Sequence, residues 1–506
     1  MKKRFLEDYI LYAIAKSFSL FLSIVPVGAA LVIGRVFGRI AYYVNVKRSK
    51  VAYANMRSAF SAHKEPSQIR RMVKDVYINF GQVLVEVLRI PVVDKRYIEK
   101  YVKVENRKYI DEVLSHNKGL IFLTGHYGNW EMLSITSALK GYPLLVLARE
   151  QKMKRLNDTL NSFRESKGCK VVNKGMATRG IYDHLNKGGI LGILSDQDAG
   201  KKASFVEFFG RPTSTPKGAF ALSRKTKASI IPAFMIREKG PYHRLLLERP
   251  IEPPVDEVGE RKAMQHFASL LEKNISEHPP QWLWLHKRWK STPLRTVVIL
   301  SDGKKGHVNQ SIAVYNKIKK CRSLCGYGDK DTKLTVIEVG HKTAIRRVWL
   351  SLASRAVAGC GILRNQLLKS CLSSVTYADL KKKYADIVIS CGATTEAVNL
   401  LFSRENNARS VVIMKPSTVQ SKLFDLAIIP EHDNPPARNN VVATNGTVSF
   451  ITPERLQDDF RSLRQHVEFS DRPNIGLLIG GDNRDYTLDS ALIKAVLEGV
   501  RSAAFE

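Results

Sequence analysis

The stretch GLIFLTGHYGNWEML, residues 119–133, decides how the chain is read. Its first part is a short apolar run bounded by glycines, the pattern of a buried parallel strand. Its second part turns polar at once and then cappable, the pattern of a loop entering a helix. Further apolar runs follow at 144–148 (LLVLA), 169–173 (CKVVN), 189–196 (GILGILSD) and 228–236 (ASIIPAFMI), with helical spacing between them. Strands alternating with helices predict an α/β sheet.

Reactive groups gather at the carboxyl ends of strands in open α/β sheets, and His126 stands just past such an end. Glu131 follows five residues later. On one helix the two would lie about 140° apart and could not meet, so His126 belongs to the loop and Glu131 to the first turn after Asn129. The chain can then fold back so that the carboxylate holds one imidazole nitrogen and leaves the other as a base. The bland alternative makes His126 a cap and Glu131 a dipole partner.

Upstream of the strand, residues 49–90 carry apolar positions at helical spacing. Before them an apolar stretch covers 9–41, with SLFLSIVPVGAALVIG (19–34) free of charge. Sixteen uncharged residues fall short of the roughly 20 of a spanning helix, and no cleavage site is evident. The expectation is a membrane anchor, spanning or interfacial, with Lys47, Arg48 and Lys50 on the cytoplasmic side; a buried pair of core helices is the alternative.

Composition narrows the partners. In 506 residues, 80 Lys and Arg face 47 Asp and Glu, a formal charge of +33, of which +24 lies in residues 1–290. Such a field attracts anions: an acidic carrier protein, phosphorylated lipid, an anionic membrane or nucleic acid. No recognition-helix, RRM or zinc-finger pattern accompanies the charge, so nucleic acid ranks low. The six cysteines form neither a disulfide framework nor a metal pattern; no metal and no cofactor are expected.

GHYGNWE, Arg164 in NSFRESKG, ILSDQDAG, FFGRPTSTPKGAFALSRKTKASIIPAF and QWLWLHKRWK occur in this order over residues 5–292. Together they resemble the lipid A late acyltransferases of the lysophospholipid acyltransferase superfamily. The resemblance implies an α/β domain beside the bilayer and acyl transfer to a hydroxyl of a phosphorylated glucosamine lipid. The donor it implies is acyl carrier protein or acyl-CoA, and the setting is the cytoplasmic face of a bacterial inner membrane. It implies His126 as catalytic base, Glu131 as its orienting partner, Arg164 at the acyl-carbonyl or phosphate site, and Asp196 beside Arg164 or a backbone turn. Substrate-binding positions carried over are Gly128, Asn129, Gly210, Thr213, Ser214, Thr215 and Lys217. Rival readings are an acyltransferase for a lysophospholipid or another glycolipid, and a non-enzymatic membrane scaffold.

A second α/β region starts near residue 295. TVVIL (296–300), LTVIEVG (334–340), ADIVISCG (385–392), SVVIMKPS (410–417) and LAIIPEHD (426–433) read as strands of a doubly wound sheet. With SDGKKGHVNQS, GATTEAVNLL and NIGLLIGGDNRDYTLD they resemble the bacterial relatives of mitochondrial-fission ELM-type proteins, which look like GT-B glycosyltransferases. Asp302, Gly303, Gly306, His307, Asn309 and Gln310 are candidates for a phosphate or acceptor site at a helix start. NIGLLIGGDN (474–483) reads as the opening of a second lobe, yet 23 residues follow Asn483, so that lobe is expected to be incomplete. The expected plan is an anchor at 1–45, an acyltransferase domain at 46–292 and a Rossmann-type domain at 295–506.

Overall fold

A computed structural model describes residues 2–116, 118–148, 153–173, 178–449, 451–469, 476–477, 479 and 487–503. Pro26 divides the leading apolar stretch into α1 (Lys2–Ile24) and α2 (Val27–Val44), since it has no N–H to continue the first helix and a preset φ to begin the second. α3 (Val46–Phe60) starts at Asn45, whose side chain accepts from the Arg48 N–H, and α4 (Pro66–Leu88) starts at the Glu65–Gln68 capping box. α2 lies against α4 through a glycine seam. A Cβ on Gly38 would fall 2.3 Å from the Tyr77 carbonyl oxygen, and one on Gly81 would fall 2.2 Å from that of Gly34. Only glycine lets the two backbones approach so closely. The other face of α2 leaves Val32, Val36, Phe37 and Ile40 exposed. Among the described residues α2 alone is long and apolar enough to cross a membrane. Arg89 caps the end of α1 by donating to the Leu22 and Val25 carbonyls.

The chain then runs through α5 (Lys95–Tyr101), β1 (Val102–Glu105), α6 (Lys108–Ser115), β2 (Leu120–Thr124), α7 (Trp130–Leu139), β3 (Leu144–Ala148), α8 (Lys154–Glu165), β4 (Lys170–Asn173), α9 (Thr178–Asn186) and β5 (Ile190–Leu194). A hairpin, β6 (Ser204–Phe208) and β7 (Arg211–Thr215), precedes α10 (Gly218–Thr226), β8 (Ser229–Lys239), β9 (Tyr242–Leu247) and α11 (Glu257–Glu277). The seven-stranded sheet has the order β1-β9-β8-β2-β5-β3-β4, parallel except between β8 and β9. All five residues of β2 are buried. Ile121 and Leu123 enter one core with α3, α4 and α11, while Leu120 and Phe122 enter the core on the opposite face. Burial on both faces explains why this strand reads as an unbroken apolar run. The strands read at 144–148, 169–173, 189–196 and 228–236 are β3, β4, β5 and β8.

The second sheet is built from β10 (Arg295–Ser301), α12 (Lys305–Leu324), β11 (Thr332–Glu338), α13 (Ala344–Val357), α14 (Gly361–Cys371), α15 (Ser374–Lys382), β12 (Ile387–Cys391), α16 (Ala393–Asn406), β13 (Arg409–Ile413), β14 (Leu426–Pro430) and β15 (Val441–Thr444). Its order is β11-β10-β12-β13-β14-β15 and every pairing is parallel. Both sheets belong to one compact unit, Met1–Ser449. Buried charge joins them: Glu405 on α16 accepts from Tyr53, from Arg70 at 2.5 Å, and from Arg364 Nε at 2.9 Å. Arg57, fully buried on α3, donates to the carbonyls of Leu380, Lys381 and Lys383. A second unit, Phe450–Glu506, contains α17 (Pro453–Leu463) and α18 (Ser490–Ala503). The opening of the expected second lobe, 474–483, lies mostly outside the described residues.

Candidate active site

β2 and β5 pair in parallel with Thr124 opposite Leu194, so the two strands stop level. Two residues beyond each end stand His126 and Asp196. Asp196 Oδ1 lies 2.7 Å from His126 Nδ1. Its Oδ2 accepts from the His126 backbone N–H at 2.7 Å and from Trp282 Nε1–H at 2.8 Å. Gly125 permits this approach, because a Cβ there would lie 2.9 Å from Asp196 Oδ2.

The loop carrying His126 is tied down on its far side. The His126 carbonyl accepts from the Leu283 N–H at 3.0 Å, the Gly128 N–H donates to the Gln281 carbonyl at 2.8 Å, and the Asn129 N–H donates to the Met235 carbonyl at 3.1 Å. Gly128 has φ +58°, and a Cβ there would fall 1.6 Å from the Met235 oxygen, so no other residue makes this turn.

With Nδ1–H given to Asp196, the imidazole turns its Nε2 lone pair outward, where the Gln197 amide nitrogen lies at 3.3 Å. The His126 side chain is 22% exposed, whereas Asp196 is sealed. Burial pulls the imidazole pKa down, but the Asp196 carboxylate and its hydrogen bond outweigh burial and hold it above the ordinary value; Glu131 adds to the rise. Burial pushes Asp196 up, but the charge and hydrogen bond of His126, with help from His286 and Trp282, hold it well below the ordinary carboxylate range. Asp196 therefore stays ionised beside a ring that it orients.

This corrects the expected His126–Glu131 contact. Both oxygens of Glu131 are engaged by Arg164, Oε2 with Nε at 2.8 Å and Oε1 with NH2 at 2.7 Å, and Arg164 NH1 also donates to Asn161 Oδ1 at 2.8 Å. Glu131 sits in the first turn of α7 and Arg164 in the last turn of α8, so the fork joins two helix ends. Of the two roles expected for Asp196, beside Arg164 or a backbone turn, it takes the second through the His126 backbone N–H, while Arg164 pairs with Glu131. The reason is register: β5 delivers Asp196 to the level of His126, while the N-cap at Asn129 starts α7 and turns Glu131 toward α8.

The carried-over binding positions divide. Asn129 is buried, accepts from the Met132 N–H at 3.0 Å and donates to Glu86 at 2.7 Å, which commits its amide to the helix cap and to α4. Thr213, Ser214 and Thr215 are buried on β7, with hydroxyls donated to the carbonyls of Arg211, Gly200 and Thr213. Arg288 locks the same strand by donating to the Ser214 carbonyl and, at 2.8 Å, to Thr215 Oγ1. These hydroxyls build the hairpin and are not open to a ligand, contrary to the expected cleft lining. Gly210 lies in the tight turn between β6 and β7 with φ +66°, and Lys217 is exposed at the start of α10.

Trp282 and Gln197 enter the site without having been singled out as site residues. Gln197 lies in ILSDQDAG and Trp282 in QWLWLHKRWK, two of the blocks that carry the resemblance, but nothing local to Trp282 says that its indole reaches a carboxylate 86 residues away. In the second sheet, Asp302 and His307 do meet, Oδ2 to Nδ1 at 2.9 Å, with Thr394 Oγ1 donating to the same oxygen at 3.0 Å.

Residues 2–291 match the family described as bacterial lipid A biosynthesis acyltransferase, and residues 305–506 match mitochondrial fission ELM1. A lipid A biosynthesis palmitoleoyltransferase of Escherichia coli (strain K12) is 27% identical over 257 residues, 49% of this chain and 80% of the relative. A lipid A biosynthesis lauroyltransferase of the same organism is 26% identical over 266 residues, 51% and 83%. A phosphatidylinositol mannoside acyltransferase of Mycobacterium tuberculosis is 23% identical over 219 residues, 42% and 68%. The chain is an acyltransferase and belongs to the bacterial lipid A biosynthesis acyltransferase family, with a GT-B-like ELM1 domain at its C-terminal end.

Proposed function

We propose that the protein transfers a fatty acyl group from the thioester of acyl carrier protein to a hydroxyl of a lipid A precursor, with His126 as general base. The observation that carries this is the Asp196–His126 pair, with Nδ1 held and Nε2 facing out. Nε2 takes the hydroxyl proton as the alkoxide oxygen attacks the thioester carbonyl, and the imidazolium formed is stabilised by Asp196. The carbon–sulfur bond then breaks and the imidazolium returns its proton to the departing thiolate, so no acyl-enzyme is needed. The Glu131–Arg164 fork positions the ends of α7 and α8 beside the ring.

An apolar path supports a lipid substrate. Trp130 packs edge-on to His126 with ring centroids 5.1 Å apart, and Phe80 stacks on Trp130 at 6.4 Å. One turn along α4 from Phe80, Leu84 is exposed, and α4 carries α1 and α2 with their uncovered apolar faces. Because α2 is fixed along α4 by its glycine seam, we read α1 and α2 as lying in the interface of the inner membrane, on its cytoplasmic face, and not as spanning it. The phosphatidylinositol mannoside acyltransferase relative favours a second reading, in which the acceptor is another glycolipid.

The test is His126→Ala in the full chain, assayed with acyl-acyl carrier protein and a lipid A precursor, and with other glycolipid acceptors in parallel. Loss of transfer with an unchanged melting profile is expected. Undiminished turnover in a folded variant removes the mechanism.

A further inference from the structure

Between the two sheets, within the Met1–Ser449 unit, lies a cavity of about 460 Å3. Six cationic side chains line it, Arg211, Lys287, Lys290, Arg295, Arg322 and Arg409, against a single carboxylate, Asp386. That carboxylate is already spent: Oδ2 accepts from Arg211 at 3.0 Å and from the Thr296 N–H at 2.8 Å, and Oδ1 accepts from Tyr384 at 3.2 Å. Arg409 is paired elsewhere, with Asp425. Lys287, Lys290, Arg295 and Arg322 make no ion pair among the described residues.

Arg322 donates to Thr332 Oγ1 at 2.8 Å and to the Pro293 and Asp331 carbonyls, none of which carries a charge to neutralise its own. Burial lowers the pKa of Arg322, and the neighbouring Arg295 charge lowers it further. Two buried donors on lining residues also lack an acceptor: Arg211 Nε, on a residue 5% exposed, and Trp289 Nε1, on one 8% exposed. Like charges gathered around one spent carboxylate repel one another, and a multiply charged oxyanion seated among them neutralises that repulsion. The volume suits a small molecule, and guanidinium forks match phosphoryl oxygens in geometry.

We propose that this cavity is a binding site for a phosphoryl or pyrophosphoryl group, held jointly by the β6–β7 hairpin and the 287–290 segment of the acyltransferase half and by the ELM-type half. Three of its cations precede residue 292 and three follow it, so the bound anion ties the two halves together. The site is separate from the acyl-transfer reading and does not depend on it. The group arrives either on a free phosphorylated metabolite or on a lipid headgroup.

The experiment uses the full chain in detergent at low salt. Calorimetric titration with pyrophosphate is run beside flotation with vesicles containing phosphatidate, against vesicles of neutral lipid. Saturable one-site pyrophosphate binding that raises the melting temperature supports a free phosphorylated ligand. Phosphatidate-dependent flotation without pyrophosphate binding, when it is weakened by the variants below, supports a headgroup. Lys287→Ala with Lys290→Ala, both exposed, is expected to weaken the interaction roughly tenfold or more without moving the unliganded melting temperature, and Lys→Arg at both positions to restore it. Arg295→Gln is the second, independent variant. Absence of saturable binding to either probe, or affinity unchanged in both variants, overturns the proposal.

Discussion

Replacing Asp196 with Asn keeps the shape of the side chain and removes its charge. In the structure the carboxylate accepts three hydrogen bonds, from His126 Nδ1–H, the His126 backbone N–H and Trp282 Nε1–H. An amide has one oxygen to offer. If that oxygen stays with the backbone N–H and Trp282, the NH2 group faces Nδ1 and forces the tautomer that puts the proton on Nε2, where the base is needed. The charge term is also lost. Two unit charges about 4 Å apart at an effective dielectric near 20 interact by about 4 kcal/mol, which is roughly a thousandfold in rate. The expected result is a fall in kcat of about that size, with a smaller change in KM, because imidazolium forms in the transition state and not in the bound substrate.

The pH profile adds an independent check. In the proposed mechanism neutral imidazole is the active form, so activity is expected to fall on the acid side as His126 takes up a proton. Asp196 raises the His126 pKa, so its removal moves the acid limb of kcat/KM to lower pH. Glu131→Gln breaks the fork with Arg164 but leaves the Asp196–His126 bond, and the acid limb is expected to move much less. The measurement is acyl transfer from acyl carrier protein, followed by mass spectrometry of the lipid product across pH, with melting curves to certify folding. If Asp196→Asn retains kcat within about threefold of wild type while Glu131→Gln abolishes it and shifts the limb, Glu131 is the working partner and the assignment made from the geometry is wrong.

Three further outcomes follow from the packing. Gly128→Ala puts a Cβ 1.6 Å from the Met235 carbonyl at φ +58°, and urea unfolding is expected to register a loss of roughly 3–5 kcal/mol from overlap and backbone strain together, with activity falling alongside. Glu405→Ala leaves Arg364 and Arg70 without their shared carboxylate; the first thermal transition is expected to drop, consistent with a cost of about 3–5 kcal/mol for breaking a buried charge cluster. Phe37→Asp with Ile40→Asp, on the uncovered face of α2, is expected to weaken binding to anionic vesicles roughly thirtyfold or more while leaving the melting temperature unchanged, which co-sedimentation measures.

The strands of both sheets were legible because doubly buried strands are continuous apolar runs, and the runs at 119–125, 144–148 and 296–300 carry that signature without help from distant residues. β9 was not among the strands expected, nor were β1, β15 and the β6–β7 hairpin. β15 has two of its four positions exposed and β9 alternates, whereas β7 is mostly buried but polar (RPTST), so in each the apolar contrast that marks a strand is weak. The leading stretch was legible as apolar and Pro26 divides it locally, but the seating of α2 on α4 depends on where Gly34 and Gly38 meet Gly81.

The amino-acid sequence alone determined the α/β class, the placing of His126 just past a strand end, the excess of cationic charge and the family resemblance. Each of these is a local pattern or a composition, and neither needs a neighbour from another part of the chain. Which carboxylate reaches the imidazole was decided by tertiary structure, because it depends on β2 and β5 being adjacent and level and on Trp282 closing the pocket from behind. Hydrogen bonds act over about 3 Å, and a spacing of five residues states only that two groups are near in the chain.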